Sequence, residues 1–224
     1  MQSLKQVLIS LASTLVLLAV LFVAAGRVDY WQGWAYAVVS VLMSVGTRLV
    51  LRSDPDLARE RSRPGAGAKS WDKSLLGLGL LLTVATLVIA GLDSGREHWS
   101  PRLPWPWSII GMALSVAGMV LFLLALRENR FFSSVVRIQA DRAQTVCSTG
   151  PYTRIRHPGN AGMIIGTVGF PFLFTSVWVG IPTLCSVVML VVRTHLEDVL
   201  LAKELEGYRD YQRRTRFRLV PGIW

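Results

Sequence analysis

Six apolar runs separated by blocks of charge limit what this chain can fold into more than any single motif does. The first covers residues 7–25, close to the length a helix needs to cross a bilayer core at about 1.5 Å per residue. Others follow at 33–51, 75–92 and 107–126, with two shorter ones at 161–177 and 178–192. Pro171, Gly180 and Pro182 interrupt the last pair, which is therefore expected to form a short hairpin. Val23-Ala24-Ala25 resembles a signal-peptide cleavage site. The first run is nevertheless long for a signal peptide and more spans follow, so it reads as a retained span. Of all residues 52% are hydrophobic and only 17% charged, too apolar a balance for an ordinary soluble domain. The expected fold is all-α, a polytopic helical membrane protein of about six hydrophobic segments.

Charge sets the expected orientation. A net charge of +10 could suit nucleic acid, but the basic residues interrupt apolar spans instead of forming a soluble face. A membrane-surface bias explains them better, and no nucleic-acid partner is expected. With the amino terminus inside and six crossings, only Arg27, Arg96 and Arg102 of the 24 lysines and arginines fall in outer loops. The positive-inside rule favours that arrangement. Both termini then lie on the cytoplasmic side, in what is expected to be a bacterial cell membrane, together with the polar segments 52–74 and 127–160. Lys5 precedes the first span, and Pro64-Gly65-Ala66-Gly67 breaks any helix in the first polar segment. Trp31 and Trp34 mark an interface, as do Trp99, Trp105 and Trp107 among Pro101, Pro104 and Pro106. In the fourth span, Gly111 and Gly118 are suited to a close helix contact. The chain divides into a four-span bundle over 1–126 and a region over 127–224 with a polar loop, the hairpin and a charged tail. Leu201, Leu205, Tyr208 and Gln212 fall near helical spacing, so an amphipathic helix lying on the membrane is expected in that tail.

Nucleotide-binding glycine fingerprints, metalloprotease motifs, paired cysteines and nucleophile elbows are all missing. Cys147 and Cys185 sit in unrelated contexts, so no disulfide is expected. His98, His157 and His195 do not make a zinc site, and no metal is expected. Residues 150–162 stand apart, packing Arg154, Arg156, His157, two prolines and three glycines between a basic loop and an apolar run. Pro151 and Pro158 restrict the backbone, Gly159 and Gly162 permit close approach to a ligand, and Arg156-His157 joins a fixed cation to a titratable ring. On residue types alone, a lipid-headgroup loop with Pro158 opening the next helix explains the stretch about as well as a binding site does. Further on, Arg193 and Glu197 share a helical face. They suit either an intrahelical ion pair or a charged pair facing a cavity.

Gly150-Pro151-Tyr152, Arg156-His157-Pro158, the hairpin, Arg193 with Glu197-Asp198, Gly207-Tyr208 with Tyr211, and Val220-Pro221 together resemble the isoprenylcysteine carboxyl methyltransferase family. Phospholipid N-methyltransferases are relatives of that family, and the resemblance covers about residues 129–224. It implies an integral membrane methyltransferase using S-adenosylmethionine without a Rossmann domain. Carried over by position, the cofactor residues are Gln139, Gln144, Thr145, Val146, Cys147, Tyr152, His157, Pro158, Gly159, Asn160 and Glu197. Arg193 would hold the substrate. Asn160 departs from the family pattern, which has tyrosine there, so an aromatic face is lost and an amide gained. The substrate expected is lipophilic, a prenylated cysteine or similar, presented from among membrane lipids and methylated on its carboxylate. Methylation of a phospholipid amine or another small lipophile is the alternative, for which Glu197, Asp198 or Glu204 would hold the amine unprotonated. A non-catalytic scaffold whose basic loops bind lipid is the remaining one.

Overall fold

Backbone amides inside a bilayer must find partners within their own segment, so apolar runs of this length become helices. A computed structural model describes residues 4–101 and 103–224, with the backbone alone at residues 4–8 and at Ser10. Arg102 and the Lys5 side chain, both used in the charge reading, lie outside the described residues. In order, the chain forms α1 (Leu4–Ala25), α2 (Trp31–Arg52), α3 (Pro55–Ser62) and α4 (Ser70–Ala90), the last running into a π-helical segment (Gly91–Glu97). Then come α5 (Pro106–Glu128), α6 (Pro158–Val168), α7 (Phe170–Leu173), α8 (Gly180–Glu204) and α9 (Tyr208–Arg214). Among the described residues α2, α4 with its π-helical extension, and α5 are long and apolar enough to cross a membrane, and Leu11–Ala25 of α1 is a shorter apolar stretch. Helices α6, α7 and α8 form the expected hairpin. Leu15, Leu80, Leu81 and Leu184 are each 61–65% exposed on the outer faces. Such surface is a liability in water and is solvated in lipid. The chain is an all-helical integral membrane protein.

Small residues set how closely these helices approach. Helix α5 packs hardest on α6 and α7, where a Cβ at Gly118 would overlap the backbone of Gly162 and Gly166. One at Gly162 would lie 2.6 Å from the Gly118 carbonyl oxygen and 2.8 Å from the Phe122 nitrogen. The close contact expected of Gly111 and Gly118 is present. Gly162 is the partner of Gly118 in that contact, and it also lines a cavity between the helices. At one end of the bundle the buried Asp93 carboxylate accepts from Ser176 Oγ and from both the backbone and the hydroxyl of Ser100. It thereby ties the loop after α4 to the turn before α8.

The opposite end carries the charged loops. Helix α3, unexpected from the glycine-rich segment beside it, starts because Asp54 accepts from the Leu57 amide at 2.9 Å and Pro55 occupies the first turn. It brings Glu60 to Arg137 in a two-pronged pair at 2.9 and 2.7 Å. Helix α8 does not end with its apolar run. It continues through Arg193 to Glu204, and the chain then breaks at Gly207, whose φ of +78° suits a residue without a Cβ. That break corrects the expected surface helix, because Leu201, Leu205, Tyr208 and Gln212 cannot share one stripe across it. Tyr208 and Tyr211 instead pack inward with Ala125 and Tyr152.

Candidate active site

Residues 150–162 are held by the chain's own tail. Gly150–Thr153 form a tight 3-10 turn, and Pro158 occupies the first turn of α6. Between them the Arg156 amide donates to the Phe217 carbonyl at 2.9 Å and the His157 amide to that of Arg218 at 3.0 Å. The Arg156 guanidinium reaches the carbonyls of Thr215 and Arg216 and grips Asp198 at 2.8 and 3.1 Å. Asp198, 1% exposed, also accepts from Tyr208 at 2.9 Å, Gln212 at 3.1 Å and Arg218 at 2.9 Å, and lies 3.2 Å from His157 Nε2. Burial pushes its carboxyl up, but hydrogen bonds from His157, Arg156 and Arg218 outweigh this and hold it well below the usual range. Arg156 is thus a tie within the fold, and Asp198 has no capacity left to hold an amine. Glu204 is engaged as well, 3.3 Å from Lys69.

A narrow polar cleft of about 100 Å3 opens beside this knot. Its lining includes Gln139, Gln144, Thr145, Val146 and Cys147 of the loop, Tyr152, His157, Gly159 and Asn160, and Arg193 and Glu197 of α8. The residues carried over from sequence therefore converge, apart from Pro158, which is buried in α6 and does not face the cleft. Not all present free polar atoms. The Gln139 side chain donates to the Phe131 carbonyl at 2.7 Å and accepts from Arg142, and its backbone N–H donates to Gln144 Oε1 at 2.7 Å. Burial pushes the Cys147 thiol up, which disfavours a thiolate. Tyr152 is buried, with Oη 3.4 Å from both Asn129 and the Ala125 carbonyl. Glu197 differs. Its side chain is 26% exposed, and among the described residues its polar contacts are Asn160 Nδ2 at 3.3 Å and His157 Nδ1 at 3.7 Å.

Arg193 does not make the intrahelical pair with Glu197 that spacing allowed. Its Nε donates to Asp72 at 2.7 Å and its Nη1 to Asn160 Oδ1 at 3.4 Å. Asp72, fully buried in the first turn of α4, also accepts the Val136 amide at 2.7 Å. Asn160 stands between the two charges of α8, with Oδ1 on Arg193 and Nδ2 on Glu197 and on Thr194 at 3.0 Å. A tyrosine hydroxyl would have to donate and accept at a single oxygen, whereas the amide does so from two separate atoms.

A second cavity, about 630 Å3 and mostly apolar, lies between α1, α2, α4, α5, α6 and α8. Phe132, Ser133, Asn160 and Arg193 line both spaces and form the wall between them. Sequence reasoning missed Asp72 and Arg61 at this junction. The acid at the start of α4 was a visible signal for the first, and nothing in local spacing marked the second. Among the described residues no cluster of three His, Cys, Asp or Glu side chains is suited to a metal ion.

In this helical membrane protein a polar cleft and a mostly apolar cavity thus lie side by side across one wall. Residues 107–206 match the family model described as Phospholipid methyltransferase. That span runs from α5 to the end of α8 and supports a membrane methyltransferase acting on lipid-type substrates. The chain is also similar to the Nickel-cobalt-cadmium resistance protein NccN of Alcaligenes xylosoxydans xylosoxydans, 28% identical over 157 residues covering 68% of this chain and 70% of that protein.

Proposed function

We propose that this protein is an S-adenosylmethionine-dependent methyltransferase that methylates the carboxylate of a lipophilic substrate, such as a prenylated cysteine, at the cytoplasmic face of the membrane. The observation that carries the reading is the shared wall. Asn160 and Arg193 face both the polar cleft and the apolar cavity, so a ligand in each would meet there.

The donor set fits the cofactor. Glu197 offers a partly exposed carboxylate with unused lone pairs to a cationic ligand. Gln144 to Cys147, Tyr152, His157, Gly159 and Asn160 would enclose the rest, with Gln139 and Pro158 bracing the loop and helix that carry them. S-adenosylmethionine supplies an electrophilic methyl group when bound. The chain's own residues need only bind, orient and exclude water. A substrate carboxylate with an ordinary pKa of ~4 is ionised at neutral pH, so no general base is required. Arg193, fixed by Asp72 and Asn160, would aim it through its planar fork. The half-buried Phe132 ring would help keep water from the junction.

An amine acceptor, which the printed name of the family model suggests, finds less support. Asp198 and Glu204 are already engaged, and Arg193 stands where the amine would have to approach. The relative's name concerns metal resistance, and among the described residues no group of metal-ligating side chains carries that over. Transfer of labelled methyl groups to a panel of prenylcysteines, fatty acids and aminophospholipids tests the proposal. Labelled methyl esters of the acids are expected. Exclusive labelling of the aminophospholipids would replace carboxyl with amine methylation.

A further inference from the structure

The apolar cavity ends in a charge that nothing nearby balances. Arg61, on α3, lines its polar end beside Phe132, Ser133, Asn160 and Arg193. Its Nη1 donates to the carbonyls of Phe132 at 3.0 Å and Ser133 at 3.5 Å, and its guanidinium lies 5.5 Å from the centre of the Phe132 ring. No described carboxylate lies within ion-pair distance of it, whereas Arg193, the other arginine of the cavity, is paired with Asp72. Among the described residues no Asp or Glu lines the cavity. A half-buried guanidinium with neutral partners is costly unless an anion arrives. Burial, and then the charge of Arg193, depress its pKa, as expected where two cations face one space without an anion between them.

We propose that Arg61 is a substrate-binding, specificity-determining residue, and that the apolar cavity takes a single-tailed amphiphile whose one carboxylate is held between Arg61 and Arg193. The inference rests on the methyltransferase reading for its biological sense but not for its geometry. One uncompensated cation calls for one negative charge. A protonated amine would face two guanidiniums, and a neutral alcohol would leave Arg61 without a counter-charge. The tail would lie among Met43, Leu75, Met119, Phe170 and Met189, where the lining is apolar. Chain length is set by that cavity, and headgroup charge by Arg61.

The test is displacement of the fluorescent fatty acid cis-parinarate from detergent-purified full-length protein by palmitate, hexadecanol, hexadecylamine and hexadecyl phosphate. Palmitate should displace it at least ~10-fold more effectively than the alcohol or the amine, the usual return of a charge-assisted hydrogen bond. It should also outcompete the phosphate ester, whose second charge has no cation to meet. R61Q should bring acid and alcohol level, and R61K should restore part of the difference. Calorimetric titration of the same R61Q preparation with S-adenosylmethionine should match wild type, which also shows that the variant is folded, since Arg61 does not line the polar cleft. Equal displacement by all four compounds in the wild type, an acid preference that survives in R61Q, or stronger displacement by the phosphate ester overturns the proposal. Acid preference without any S-adenosylmethionine binding would leave Arg61 its role and remove the methyltransferase reading instead.

Discussion

Replacing Asp198 by Asn removes one negative charge from the point where α6, α8, α9 and the tail are joined. The carboxylate serves Arg156 through two hydrogen bonds and Arg218 through one, with Tyr208, Gln212 and His157 around it. Removing one partner of a buried pair costs about 3–5 kcal/mol. The lower end applies here, because Arg156 keeps the carbonyls of Thr215 and Arg216 and Arg218 is 26% exposed. A loss of about 3 kcal/mol is therefore expected. The internal control is D141N. Asp141 also pairs with a buried arginine, but it is 57% exposed and Arg137 retains Glu60, so less than ~1 kcal/mol should be lost. Both variants can be compared with wild type by thermal unfolding in micelles, followed by tryptophan fluorescence. The pH dependence has a definite sign. Asp198 has a depressed folded pKa, so its contribution is complete above the unfolded carboxylate value of ~3.9 and is lost only as pH falls below it. The gap between wild type and D198N should be flat from about pH 5 to 8 and narrow in stronger acid. Equal losses in D198N and D141N, or a gap that already closes at pH 6, would refute the hub.

Other consequences can be tested separately. N160A removes the amide that divides Arg193 from Glu197, and should weaken S-adenosylmethionine binding by roughly 10-fold in calorimetry while the fold is retained, since one charge-linked hydrogen bond is worth about 1.5 kcal/mol or more. G118L would force a side chain into the backbone of α6, and should lower stability by about 1–3 kcal/mol or more in the same unfolding assay, because backbone neighbours cannot repack. At pH 8, iodoacetamide should alkylate Cys147 more slowly than free cysteine, as a raised pKa leaves less thiolate.

The helical core was readable because the bilayer allows an apolar run few conformations, so residues 107–126 could hardly become anything but α5. The hairpin was readable from Pro171, Gly180 and Pro182 for a related reason, as each removes a donor or a side chain at a fixed place. Convergence of Tyr152, His157, Asn160, Arg193 and Glu197 on one cleft was also legible, through the family resemblance that their motifs carry. Partner choice was not. Arg193 and Asp72 are 121 residues apart, and no period in the sequence links them. Glu197 and Asp198 are neighbours with the same chemistry, yet about 100° of helical rotation sends one to the cleft and the other into the knot. Arg61 looked like one cation among several in a polar loop, and only the approach of α3 to Phe132 gives it the cavity. The tail misled through real periodicity, since the spacing of Leu201, Leu205 and Tyr208 holds only if the helix continues through Gly207.

The central claim is that the polar cleft beside Glu197 holds S-adenosylmethionine, and isothermal titration of the detergent-purified full-length protein addresses it most directly. Saturable binding at one site per chain is expected, weakened at least ~10-fold in E197Q, where the carboxylate that meets the cationic ligand is replaced by a neutral amide. Folded wild-type protein with no saturable heat, or an E197Q variant that binds as tightly as wild type, would contradict the account.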